Sequence, residues 1–157
     1  TELRVLELFE LCGCEEAAAA HAGLSILTSY TPDYHFRVTD RTTVQASLVE
    51  RGQNAERLSG GRTKNIATQL RAMINHDISR GFDGDMVATA AAIQTELLVI
   101  VNATDHLVTP GPALDFAKLA GAQSLVLNDD CGHLSPFQSC SGTTMSEAIS
   151  AFLAPED

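Results

Sequence analysis

Positive charge is scarce in this chain: 10 lysines and arginines stand against 20 aspartates and glutamates, a formal net charge of −10. Such a surface repels nucleic-acid backbone and anionic lipid, so neither is expected as a partner, and a small organic substrate or a protein fits better. Long apolar runs are missing too. The longest candidate, Leu97 to Val101, falls far short of the roughly 20 residues that span a bilayer. Thr1 to Glu10 includes Glu2, Glu7 and Glu10 and therefore lacks the basic start and unbroken apolar stretch of a secretory signal. A soluble, cytoplasmic protein is expected, and because the chain opens at Thr1 without Met, so is an upstream portion. Repeats and low-complexity tracts are absent apart from short alanine clusters.

Cysteine is sparse, at positions 12, 14, 131 and 140. That number permits disulfides without compelling them. Cys12-Gly13-Cys14 has a single intervening residue, unlike the doubled two-residue spacing of zinc ribbons, so small, partly buried thiols are expected rather than a metal site. With 45% hydrophobic residues among 157, the chain suffices for one domain with a real core.

Two textures meet near residue 95. The first is helical: Leu3, Leu6 and Phe9 recur every three residues, and the alanine-rich stretch Glu15 to Tyr30 favours helix. Tyr30-Thr31-Pro32-Asp33 reads as a break, Thr42 to Arg51 as a short helix stopped by Gly52, and Gly60-Gly61 as a loop. From Thr63 to Arg80, Ile66, Leu70, Met73 and Ile74 line one face of an amphipathic helix with Gly81 as its stop. In the second texture, Leu97 to Val101 has the uniform apolarity of a strand buried on both faces. A loop from Asn102 to Pro110 follows. Pro112 then suits the first turn of a short helix, Gly121 its C-cap, and Ser124 to Leu127 a second strand. The pattern is a βαβ unit with a parallel sheet and a right-handed crossover, followed by a final helix from about Thr143 to Leu153.

Ligands of open α/β sheets gather beyond the carboxyl ends of the strands, which directs attention to Asp105 and His133. A carboxylate beside an imidazole there holds the ring in one tautomer and stabilises the imidazolium that forms when the ring takes a proton from a nucleophile. Asp and His are also ordinary loop residues, and spacing alone favours that bland reading.

The run Asn102-Ala103-Thr104-Asp105-His106-Leu107-Val108-Thr109-Pro110, then Pro112-Ala113-Leu114 and Asp130-Cys131-Gly132-His133, resembles the end of a homoserine O-acetyltransferase-like α/β-hydrolase. The segment from Thr68 through Arg71 and His76-Asp77 to Arg80 resembles the helix that leads from that family's lid into its last strands. The resemblance runs from about Thr63 to Leu153. It implies an α/β fold, the C-terminal portion of an α/β-hydrolase, with a helical lid over residues 1–62 and the last two parallel strands with flanking helices over residues 63–157. It assigns Asp105 as triad acid and His133 as general base, with Gly132 allowing a sharp turn before the histidine. It implies acyl transfer from a small-molecule acyl donor to an alcohol or to water, without cofactor or metal.

The nucleophile is what the sequence lacks. An elbow needs G-x-S-x-G on a strand-to-helix turn, and the nearest string, Gly23-Leu24-Ser25-Ile26-Leu27, lacks the second glycine and follows an alanine-rich stretch. Chain order in the family, serine then acid then histidine, puts the elbow in a missing N-terminal half of the core. One departure bears on substrate: the family places Asp directly after the histidine, where it can pair with an amino-acid acceptor, and here stands Leu134. An apolar side chain offers an ammonium no partner, which favours a less polar alcohol or water.

Other residues carry weaker expectations. His76, Asp77 and Arg71 could line a donor entrance or form a solvated face, His106 reads as a surface residue, and Asp129 and Asp130 as turn residues rather than an alternative acid. A Cys131-His133 nucleophile pair has poor geometry on one loop. The rival to an enzyme is a non-catalytic, truncated binding or dimerisation module. Two strands alone leave exposed edges, so the isolated chain is expected to associate, for instance as a homodimer.

Overall fold

The computed structural model of the chain describes residues 2–12, 17–40, 42, 44–59, 63–137 and 139–154. Two compact units divide them, one formed by residues 1–28 with 35–76 and the other by residues 29–34 with 77–157. The Cys12-Gly13-Cys14 spacing and the Gly60-Gly61 loop lie outside the described residues. Among those described, no helix is long and apolar enough to cross a membrane.

The first unit is built from α1 (Glu2–Cys12), α2 (Ala17–Ser29), α3 (Pro32–Val38), α4 (Val44–Ser59) and α5 (Thr63–Ile74), with the end of α2 and the start of α3 belonging to the second unit. Helix α1 packs on α5, and on these helices Leu6 and Ala67 are fully buried. Burial of a leucine of this kind contributes about 2 kcal/mol. The helix expected to run to Arg80 ends at Ile74. There the side-chain amide and main-chain N–H of Asn75 both donate to the oxygen of Arg71. Asp77 then accepts from the N–H and hydroxyl of Ser79. These local side-chain bonds outcompete the helical ladder. Met73 and Ile74 are each 65% exposed, so the buried face centres on Ala67 rather than on the last turn.

Gly52 does not stop a helix. Helix α4 passes through it to Ser59, and a Cβ at Gly52 would lie 2.9 Å from the Cβ of Ala19. The missing side chain lets α2 and α4 approach closely. The expected break at Tyr30 to Asp33 is instead a helix start. The Thr31 hydroxyl accepts from the N–H of Tyr34 at 3.1 Å, Pro32 supplies the first turn and Asp33 adds a negative charge to it.

In the second unit, a 3-10 turn at Arg80–Phe82 leads to α6 (Met86–Ala91), capped by the Asp85 carboxylate, which accepts from Val87 and Ala88. Strand β1 (Leu98–Asn102), α7 (Gly111–Ala120) and β2 (Gln123–Leu127) follow, then 3-10 turns at Gly132–Phe137 and Ser139–Ser141, and α8 (Thr144–Phe152). The strands pair in parallel from Leu98 with Gln123 through Asn102 with Leu127, the βαβ unit expected. Pro112 sits in the first turn of α7. Gly121, at φ 63°, ends that helix in the left-handed conformation open to glycine. Helices α7 and α8 both pack on the strand pair. They cover it only in part: β1 is half-buried up to a buried Asn102, and β2 is largely exposed up to a buried Leu127. The strand expected to be buried on both faces is thus only partly covered among the described residues.

Candidate active site

Because Asn102 and Leu127 are register partners, the loops that carry the acid and the histidine leave the sheet side by side. The ladder extends one step further through the N–H of Ala103, which donates to the oxygen of Leu127 at 2.8 Å. Asp105 then turns back on its own loop. Its Oδ1 accepts from the N–H groups of Leu107 and Val108, each at 2.9 Å. With that oxygen fixed by two donors, Oδ2 points at Nδ1 of His133, 2.9 Å away. The Asp105 side chain is 13% exposed and that of His133 36% exposed. A carboxylate accepts and does not donate, so the ring carries its proton on Nδ1 and leaves Nε2 free to take one. The contact with Asp105 thus fixes how the ring is turned.

His133 is presented by a strained turn. Gly132 has φ 60°, and a Cβ there would stand 2.9 Å from the main-chain oxygen of Ser29. Both facts require glycine. The segment against which it lies, Ser29 to Thr31, is buried, and the Thr31 hydroxyl donates to the oxygen of Asp130 at 2.5 Å. Sequence reasoning passed over this strap. Its only signal was a polar Ser-Tyr-Thr run before a proline.

Behind the pair lies a second carboxylate. Asp129 Oδ1 accepts from Nδ2 of Asn102 and the N–H of Cys131, both at 2.9 Å, and Oδ2 accepts from the fully buried Ser135 hydroxyl at 2.5 Å. Asp129 does not orient the ring directly. Cys131 is fully buried and joined to Cys140 in a disulfide, with Cα atoms 6.2 Å apart. The sequence permits a disulfide without compelling one, and here one is formed, so Cys131 has no thiol for nucleophilic attack. Among the described residues, Asp129, Cys131 and Cys140 bring metal-ligand atom types within 4.8 Å of one another. The sulfurs are bonded together and both carboxylate oxygens already accept hydrogen bonds, so these residues do not fit a metal ion.

A cavity of about 270 Å³ opens beside the pair. Asp105, His133, Asn102 and Thr109 are its polar lining residues; Val108, Pro110, Ala113, Pro136 and Phe137 are among its apolar ones. His106 is exposed and is not part of this lining. Leu134, next to the histidine, is half-buried.

The remaining candidates are placed elsewhere. Arg71 pairs with Glu7 at 3.3 Å, and Asp77 serves the turn at Ser79. Ser25 lies within α2, where its hydroxyl is 3.4 Å from Nδ1 of His21, one helical turn earlier. It does not occupy a strand-to-helix elbow.

Comparison with family models and with curated proteins returned no match. Among solved structures, a crystal structure of a point variant of esterase E22 is similar, with a TM-score of 0.69 and 18% identity. The similarity covers 90% of this chain and 42% of that one, so the chain spans less than half the length of that esterase. Over the residues compared, the fold resembles that of this esterase.

Proposed function

We propose that this chain supplies the acid, Asp105, and the general base, His133, of a serine-nucleophile acyl-transfer enzyme, the nucleophile coming from a segment outside these residues. The observation that carries the reading is the 2.9 Å contact from Nδ1 of His133 to Oδ2 of Asp105, at the mouth of an apolar cavity. In the reaction, Nε2 takes the proton of the attacking hydroxyl and gives it to the group that leaves the acyl donor as the acyl-enzyme forms; it then takes a proton from the acceptor, alcohol or water, and returns it to the serine oxygen as the acyl group is released. Residues 1–62 would correspond to the helical lid region of such an enzyme.

Ester hydrolysis, or transfer to an uncharged alcohol, is favoured over transfer to homoserine. Leu134, standing where the resembled family has an Asp, offers no partner to an ammonium group, and the similar solved structure is that of an esterase. The test is turnover of a short-chain activated ester by the protein together with its nucleophile segment, with and without His133→Ala. Loss of acyl-enzyme turnover in the variant supports the assignment, and unchanged turnover overturns it.

A binding or dimerisation module remains a second reading, favoured by the 93% exposure of Phe36 and by the exposed Met73 and Ile74 on the helices of the first unit. Sedimentation of the wild-type chain beside Phe36→Ser and Met73→Ser decides it. A dimer that both variants dissolve supports this reading; a monomer throughout removes it.

A further inference from the structure

The carboxylate of Asp129 is met by three donors from three different positions along the chain. Asn102 Nδ2 reaches it from the end of β1, the N–H of Cys131 from the residue before Gly132, and the Ser135 hydroxyl from two residues beyond His133. The donors Asn102 and Ser135 are 6% and 0% exposed, so the bonds form away from competing water. The histidine is therefore bracketed, with one anchor before it and one after it on the same carboxylate.

Asn102 carries the link to the acid loop. Its Nδ2 also donates to the oxygen of Gly132 at 3.2 Å, while its Oδ1 accepts from the N–H of Thr104 at 2.9 Å. The Thr104 hydroxyl is 2.7 Å from the main-chain oxygen of Asp129 and 3.0 Å from Oδ1 of Asn102. Asn102 and Asp129 together thus fix both the residue before Asp105 and the residues around His133.

We propose that Asp129 is the positioning residue of this site: its carboxylate, held by Asn102, Cys131 and Ser135, sets the separation of His133 from Asp105. The proposal rests on the function assigned above for its kinetic consequence but not for its structural one. The carboxylate accepts all three bonds, and Asn at this position keeps the bracket only if the Ser135 hydroxyl reverses to accept from the new amide NH2. A displacement of the imidazole by about 1 Å costs up to about a hundredfold in rate.

The test is the proton resonance of His133 Nδ1–H, which reports the bond to Asp105 whether or not the chain turns over substrate. It is recorded on the 157-residue chain for the wild type, Asp129→Asn, Ser135→Ala and, as a control for lost charge at an exposed site, Asp115→Asn. The expected result is a shifted or broadened resonance in Asp129→Asn and Ser135→Ala, unchanged in Asp115→Asn. With the nucleophile segment present, kcat should fall about tenfold to a hundredfold in Asp129→Asn with little change in KM. Ser135→Ala leaves the carboxylate two donors and decides the matter if Asp129→Asn does not fold. A resonance unchanged in whichever of the two variants fold overturns the proposal. If His133→Ala leaves ester turnover intact, the assigned function fails, and the resonance still judges the positioning role.

Discussion

Thr31 and Asp130 stand 99 positions apart in sequence, yet the hydroxyl of the first donates to the main-chain oxygen of the second at 2.5 Å. The same hydroxyl accepts from Tyr34 and starts α3, so one side chain both begins a helix and anchors the loop of His133. Thr31→Val keeps the shape and removes both bonds. It should lower stability by about 1–2 kcal/mol, read as an earlier midpoint in urea unfolding. An unchanged midpoint would show that the hydroxyl holds nothing.

Gly132→Ala places a methyl 2.9 Å from the oxygen of Ser29 on a backbone with φ 60°. The expected cost is about 1–3 kcal/mol, together with displacement of His133 from Asp105. Thermal unfolding reads the first effect and the His133 Nδ1–H resonance the second; retention of both would mean that the strap moves aside without cost.

Reduction should loosen the same loop. The Cys131–Cys140 disulfide closes a loop with a sequence separation of 9, for which chain entropy suggests about 2–3 kcal/mol. Cys140→Ser should unfold at a lower temperature than oxidised wild type, and at the same temperature with or without reductant. A wild type insensitive to reductant would refute the bond's contribution.

Acid should weaken the contact between α1 and α5. The hydrogen bond from Arg71, and after it that from Arg4, holds the Glu7 carboxyl below the ordinary glutamate range. A carboxyl with a lowered pKa in the folded state stabilises above its unfolded value of about 4.3, and that contribution is lost as pH falls through the folded value. Glu7→Gln should therefore lower the unfolding temperature slightly at neutral pH and not in acid, with salt shrinking the difference because the pair is largely exposed. Equal effects at both pH values would contradict this.

Leu134→Asp should move acceptor preference toward alcohols that bear an ammonium group. A charged hydrogen bond of about 1.5–3 kcal/mol corresponds to at least about a tenfold rise in the ratio of transfer to hydrolysis. Product analysis with a neutral and an amino alcohol side by side measures that ratio, and an unchanged ratio would place the acceptor away from Leu134.

Much of the second unit is legible in the sequence because its signals are local. The apolar run of β1, Pro112 and Gly121 around α7, and the polar residues just after each strand fix a βαβ unit and its loops. What escaped depends on partners distant in the chain. Gly52 looks like a stop until Ala19 is beside it, and Thr31 looks like a turn residue until the main-chain oxygen of Asp130 accepts its hydrogen bond. Asp129 reads as a turn residue because Asn102 and Ser135, which give it a role, lie on other segments. The end of α5 was missed for the opposite reason: Asn75 and Asp77 compete with the helix through short-range bonds that an apolar periodicity does not register.

The flush register of β1 and β2, Asn102 against Leu127, turns the two loops into measuring sticks that start from a common zero. Asp105 and His133 meet because each loop spends its own fixed number of residues after that line. An inserted residue in either loop shifts one partner alone and parts them. Length added to the crossover beyond Gly121, before the ladder begins at Gln123, leaves both counts intact. The strand pair therefore separates what can vary from what cannot: the crossover connecting the strands can change its length, while the tips beyond them keep theirs.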